Sequence, residues 1–344
     1  MRKFGLLTGQ LLIVLLLIDG LVDFAYPLAH FAIERGRALV AHESPAAADI
    51  WNGPTQRAVA GIGNVLVPMT SPVLNVDATG RRSTGQTTGP GPTGLLLGSS
   101  QAFGFRVPDD DTFAAALERR LGGVTVMNFS APGRTVSASM TQWLKLAESG
   151  NAPDFVLVLF SGVQIAEACW KVDPTSRSER EPALVRAAGK AWTLLFPDRS
   201  GNYPCASAEA REWVVLRTLY EIRAAVAAAR DLHTRFALVV APTLYGNDAP
   251  AGTARSQIDP EIVRTMNLTV RELRERLASE RIPGVVDLSA AFDTQADSRF
   301  VDRGSHFDRQ GAEILAQAVV ERLPADFFSK AGGQSAPPAN DVTR

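Results

Sequence analysis

The chain has 344 residues, of which 46% are hydrophobic, enough to bury a full core. A formal net charge of −1, with Lys and Arg spread among Asp and Glu, offers no basic face and argues against a nucleic-acid partner. The acidic and basic residues read as a solvated surface, with no run of one sign to suggest a charged partner.

Met1-Arg2-Lys3 precede an apolar run from Phe4 to Ile18, broken only by Thr8 and Gln10, and Asp19 and Asp23 follow. Cations ahead of an apolar stretch hold the N-terminus in the cytoplasm and send the rest across the membrane. A span needs about 20 residues, so a helix over residues 4–26 would carry the two aspartates towards the far interface. No clear small-x-small cleavage site follows, which favours a retained anchor over a removed signal peptide. Residues 1–26 are therefore expected to be a cytoplasmic tip and a single transmembrane helix in the inner (cytoplasmic) membrane, with everything beyond it in the periplasm.

Residues 27–92 read as stalk and linker. Residues 79–94 are dense in Gly, Thr, Ser and Pro, a composition that buries little apolar surface. The apolar residues between Trp51 and Pro68 could pack on a domain or lie at the membrane surface, and the sequence leaves both open.

A strand and helix alternation starts at Thr93. Gly94-Leu95-Leu96-Leu97-Gly98 predicts a short buried strand. A helix over 112–121 follows, with Asp109-Asp110-Asp111 near its start, where acidic side chains favour a helix N-terminus. Residues 124–128 predict the next strand and 136–149 the next helix. The continuous apolar run from Phe155 to Phe160 fits a strand covered on both faces. Further helices are expected over 208–232, 259–280 and 310–323, and strands over 236–240 and 285–288. This alternation predicts one α/β domain over 93–326, a parallel sheet with helices on both faces. From 327 to 344 the chain reads as a disordered tail, polar and Pro-containing beyond Ala331. Cys169 and Cys205 are the only cysteines, and in an oxidising compartment an even count invites a disulfide; two separate buried thiols are the alternative.

Ser100 sits in Gly98-Ser99-Ser100-Gln101-Ala102-Phe103-Gly104, directly after the apolar strand, and Asp302 and His306 precede the last predicted helix. Open α/β folds place chemistry at the carboxyl edge of the sheet, where a histidine returning from the far end of the chain can take a serine proton. Ser100 alone would equally suit a helix N-cap. The other histidines, His30, His42 and His233, have no comparable context. No metal-ligand spacing, P-loop or dinucleotide fingerprint is present, so no metal or cofactor is expected.

These segments, in this order over residues 95–323, resemble the SGNH (GDSL-like) hydrolases, a flavodoxin-like α/β/α sandwich family of esterases, lipases and glycan deacetylases. The resemblance implies Ser100 as nucleophile, its backbone N–H as one oxyanion donor, and Ser99 in place of the family's aspartate. Asn128-Phe129-Ser130-Ala131-Pro132-Gly133 is similar to the second family block, with Gly133 supplying another backbone donor. In the third block Gln164 replaces the usual asparagine, carrying the same amide on a longer stem as a third oxyanion donor. Asp302 and His306 match the fourth block with one extra residue between them, which a loop residue such as Gly304 would absorb. The resemblance implies a membrane-anchored serine esterase, or an acyl transferase, acting on an ester-bearing glycan or lipid-linked substrate of the cell envelope. The alternatives are a catalytically weak or inactive binding module in an envelope polysaccharide assembly complex and a flavodoxin-like phosphate or nucleotide binder.

Overall fold

The computed structural model describes residue 49 and residues 53–59, 63–86, 89–150, 152–162, 164–165, 168–169, 205–244, 260–292, 299–302 and 305–330. Two antiparallel pairs come first, β1 (Gln56–Val59) with β2 (Gly63–Leu66) and β3 (Met69–Thr70) with β4 (Asn75–Val76). They are followed by β5 (Thr93–Gly98), α1 (Ser100–Phe103), a 3₁₀ turn (Asp109–Asp111), α2 (Phe113–Leu121), β6 (Thr125–Asn128) and α3 (Val136–Glu148). The rest is β7 (Phe155–Phe160), α4 (Ala208–Asp231), β8 (Arg235–Val240), α5 (Pro260–Glu280), β9 (Val285–Asp287) and α6 (Arg309–Arg322).

Five parallel strands form one sheet in the order β6-β5-β7-β8-β9. That is the flavodoxin-like order, and it reverses beside β5; in open sheets of this kind ligands bind at the carboxyl ends of the strands at such a reversal. Strand residues alternate between two cores because successive side chains point to opposite faces. Leu95, Leu97, Val156, Val158, Phe160 and Leu238 pack with Trp143 of α3, Leu219 of α4 and Leu273 of α5. Leu96, Phe155, Leu157, Leu159 and Val239 pack with Phe113 and Leu117 of α2 and Leu315 and Val319 of α6. The sheet is thus covered on both faces, which is why β7 is apolar along its whole length.

Side-chain caps set where several helices begin: Thr112, Thr135, Ser207 and Asp308 each accept a backbone N–H from the third residue on. The acidic triplet before α2 therefore has a different use from the one its position suggests. Asp109 is buried and ion-paired at 2.9 Å with Arg82.

Arg82 comes from the segment expected to be stalk and linker, and over its described residues that expectation is corrected. Leu66, Leu74 and Val76 are buried against Phe103 and Ala131, and Arg82 N–H donates to the Asn128 carbonyl at the end of β6. The Arg82 guanidinium, fully buried, donates to the carbonyls of Phe103, Gly104 and Val107 as well as to Asp109. Burial pulls its pKa down and Asp109 opposes that shift. This part of 27–92 packs on the domain, held by buried Leu66, Leu74 and Val76 and by hydrogen bonds that include those of Arg82.

The expected tail is corrected at its start. Phe327 and Phe328 are buried, with ring centroids 5.6 and 5.2 Å from that of Phe155; residues 331–344 lie outside the described residues. So does the predicted transmembrane segment, and no helix among the described residues is long and apolar enough to cross a membrane.

Cys169 and Cys205 form a disulfide with an S–S length of 2.01 Å, buried in the core beside α4 and closing a sequence separation of 36 residues. A closed loop of that length stabilises by about 4 kcal/mol on the chain-entropy account.

Candidate active site

β5 ends on Gly98 at φ 151°, and a Cβ there would lie 2.6 Å from the Leu159 carbonyl oxygen and 2.7 Å from the Ala102 Cβ. Only glycine lets the chain turn this tightly between β7 and α1. Ser99 is extended and wholly buried, its Oγ 3.4 Å from that of Ser161 at the end of β7. Ser100 then opens α1, which Gly104 ends at φ 81°. A Cβ on Gly104 would meet the Thr112 methyl at 2.6 Å. The hydroxyl of Ser100 is thereby fixed at the carboxyl edge of the sheet, next to the point where the strand order reverses.

His306 and Asp302 arrive on a narrow loop before α6. Phe300 and Phe307 bridge its base, Val301 N–H donates to the His306 carbonyl at 2.8 Å, and Ser305 N–H donates to that of Asp302 at 3.2 Å. Ser305 adopts φ 62°, uncommon for a residue with a side chain, and it is held from three sides. Leu244 N–H donates to its Oγ at 3.0 Å, Thr243 Oγ1 lies 3.2 Å away, and the Gln101 amide donates to its carbonyl. Gly304, expected to absorb the extra residue between Asp302 and His306, lies outside the described residues.

The three side chains meet. His306 Nε2 is 2.8 Å from Ser100 Oγ, and His306 Nδ1 is 2.8 Å from each Asp302 carboxylate oxygen. A proton on Nδ1 directed at Asp302 leaves the Nε2 lone pair to accept from the Ser100 hydroxyl. The imidazole is buried, and the Phe105 ring lies against it with centroids 5.0 Å apart.

Among the described residues, neither the Ser100 N–H nor the Gly133 N–H donates to another protein group. Gly133 adopts φ 72° in the turn after β6, a conformation that suits glycine.

Gln164 differs from expectation. Its Oε1 accepts from Ser161 N–H at 3.0 Å and its Nε2 donates to the Arg134 carbonyl at 3.0 Å. The longer stem ties the end of β7 to the Gly133-Arg134 turn, so the side chain acts on that backbone turn rather than as a free amide awaiting an oxyanion. Gln164→Ala is expected to cost about 1–3 kcal/mol, as two buried backbone groups lose their partner. Gln164→Asn, one methylene shorter, is expected to recover little of it. Urea unfolding of the two variants checks this, and full stability in Gln164→Asn would contradict the clamp.

Three arginines around the site carried no recognisable signal in the sequence. Arg134 is buried, donates to the carbonyls of Phe129 and Asn64, and is pushed down to about 10 by burial. Arg82 clasps the loop behind α1, and Arg106 Nε lies 2.7 Å from Asp302 Oδ2. His233 sits exposed at the end of α4, whereas His30 and His42 lie outside the described residues. No group of metal-ligating side chains occurs among the described residues.

No family model matches the chain, and no curated protein matches it. Among solved structures, it is similar to a protein of the G-D-S-L family from Desulfitobacterium hafniense, described as lipolytic, with 15% identity and a TM-score of 0.40 over 67% of this chain and 99% of that one. It is also similar to a catalytic mutant of an acetylxylan esterase from Geobacillus stearothermophilus, with 17% identity and a TM-score of 0.39 over 69% and 95%. A G-D-S-L family lipolytic protein from Veillonella parvula gives 15% and 0.38 over 67% and 97%. At such identities and scores the assignment of an activity rests on the side-chain geometry.

Proposed function

We propose that the chain is an SGNH-type serine hydrolase that cleaves carboxylic esters. What carries this reading is the unbroken relay from Ser100 Oγ through His306 to Asp302, each link 2.8 Å long. His306 Nε2 takes the hydroxyl proton as Ser100 Oγ attacks the ester carbonyl carbon, and Asp302 holds the imidazolium in place. The oxyanion of the tetrahedral intermediate accepts from the N–H groups of Ser100 and Gly133. Collapse expels the alcohol, which receives its proton from His306 and leaves an acyl-Ser100 ester. Water, deprotonated by the same nitrogen, attacks that ester and releases the acid. A sugar hydroxyl in place of water would make the same machinery an acyl transferase.

The substrate class follows from placement. A retained span over residues 4–26 would tether the domain on the periplasmic face of the inner membrane, beside O-acylated envelope glycans and lipid-linked intermediates. The cations ahead of the apolar run support that orientation, and the Cys169–Cys205 disulfide is a feature of oxidising compartments. A fluorophosphonate probe is expected to label the protein at Ser100, located by mass spectrometry of the modified peptide. Absence of labelling, in folded protein, would leave a binding module that keeps the fold without the reaction.

A further inference from the structure

We infer that Arg134 is a positioning residue of this site: its guanidinium fixes the turn that carries Gly133, and through Asn64 it makes the β1–β2 pair part of the support for the oxyanion. The catalytic consequence rests on the serine-hydrolase reading; the hold on the turn does not.

The turn after β6 runs from Phe129 to Arg134, and its backbone is tied to β5, the strand that leads to the nucleophile. Phe129 N–H donates to the Leu96 carbonyl at 3.0 Å, Ala131 N–H to that of Gly98 at 3.2 Å, and Arg134 N–H to that of Ala131 at 3.2 Å. The Arg134 side chain then closes the turn on itself. Its Nη1 donates to the Phe129 carbonyl at the start of the turn, while the Arg134 carbonyl at the end accepts from the Gln164 amide at 3.0 Å. Its Nη2 reaches the Asn64 carbonyl at 2.6 Å, and Asn64 is paired with Ala58 across β2 and β1. Gly133 lies between these attachments, so a shift at either end reorients its N–H.

The chemistry of the side chain fits this task. Arg134 is 3% exposed, and among the described residues no carboxylate pairs with it. Burying an unpaired cation opposes folding. An apolar side chain of similar length would avoid that penalty, but it would take this donor away from the Phe129 and Asn64 carbonyls. The planar guanidinium offers its donors in a fixed fork, whereas a lysine ammonium is one point on a flexible stem. An oxyanion donor acts only within about 2.7–3.1 Å of the developing charge, and a misplacement of about 1 Å can cost about 100-fold in rate.

The experiment compares Arg134→Met, Arg134→Lys and Leu277→Ala with the wild type, each assayed where urea unfolding shows it folded. Leu277 is buried near the end of α5, which leads into the start of β9, so its loss lowers stability at the opposite edge of the sheet from Ser100. In Arg134→Met, kcat for a short acyl ester is expected to fall about 10- to 100-fold with little change in KM. Arg134→Lys should recover part of that loss, and Leu277→Ala should keep the wild-type kcat. Hydrogen exchange followed by NMR should show the Ala131 amide opening about tenfold more often in Arg134→Met, relative to the amides of β8. A merely structural role would raise exchange throughout the sheet and make Leu277→Ala equivalent. Wild-type kcat in folded Arg134→Met, a change confined to KM, or an Ala131 amide that opens no faster relative to β8 would overturn the inference. If Arg134→Met fails to fold, Arg134→Lys decides by the same three criteria. Faster opening at Ala131 in a protein whose wild type hydrolyses no ester would reject the hydrolase reading and leave the hold on the turn standing.

Discussion

Ser100→Ala is expected to lower kcat for a short acyl ester by about 10⁴- to 10⁶-fold with little change in KM, equivalent to about 5–8 kcal/mol of transition-state stabilisation. In the proposed mechanism nucleophile and base act as a unit. Ser100 Oγ and His306 Nε2 are 2.8 Å apart and both are buried, so either residue is of little use without the other. His306→Ala should therefore cost about as much, and the double variant should be no slower than either single one. Asp302→Asn should retain the arrangement while favouring the wrong tautomer, with a loss of about 10⁴-fold. Steady-state kinetics on purified, folded variants measure all four. Additive losses would mean that the two side chains do not cooperate, and wild-type rates in Ser100→Ala would end the proposed mechanism.

Arg82→Met should be the most damaging change away from the reacting atoms. Its guanidinium is wholly buried and is matched by Asp109 and three backbone carbonyls. Removing it leaves a carboxylate 6% exposed without its cation, and breaking a buried pair in this way costs about 3–5 kcal/mol. Asp109 keeps the N–H and side-chain amide of Asn75 at 2.9 Å, which softens the loss without replacing the charge. Urea unfolding gives the stability, and Arg82→Met with Asp109→Asn should be less destabilised than Arg82→Met alone. The loop from Phe103 to Val107 should loosen at the same time, so kcat should fall although Arg82 touches no reacting atom. A stability within about 0.5 kcal/mol of wild type, the range of an ordinary surface substitution, would mean that the pair is not the keystone described.

The order of elements was legible because it is written in local patterns. Leu95-Leu96-Leu97 and the run from Phe155 to Phe160 can only be strands covered twice. The glycines around Ser100 mark a turn where a side chain at Gly98 or Gly104 would clash. Ser100, His306 and Asp302 could be named from the order of motifs along the chain.

Other features depended on what folding brought within reach. Gln164 carries the right amide for an oxyanion, yet its donor is directed at the Arg134 carbonyl; a side chain's composition does not say which of several acceptors it will meet. The Gly- and Thr-rich lead-in looked too polar to pack, but Arg82 within it found Asp109 and three carbonyls across the fold. Phe327 and Phe328 sit at a chain end and were read as tail, although Phe155 offered them a face to bury. Local sequence determined where strands, turns and caps form, because those depend on backbone sterics and on the period of apolar residues. The partners of Arg82, Arg106 and Gln164 were decided by tertiary structure alone, because a long polar side chain is committed by the nearest unmet group in three dimensions.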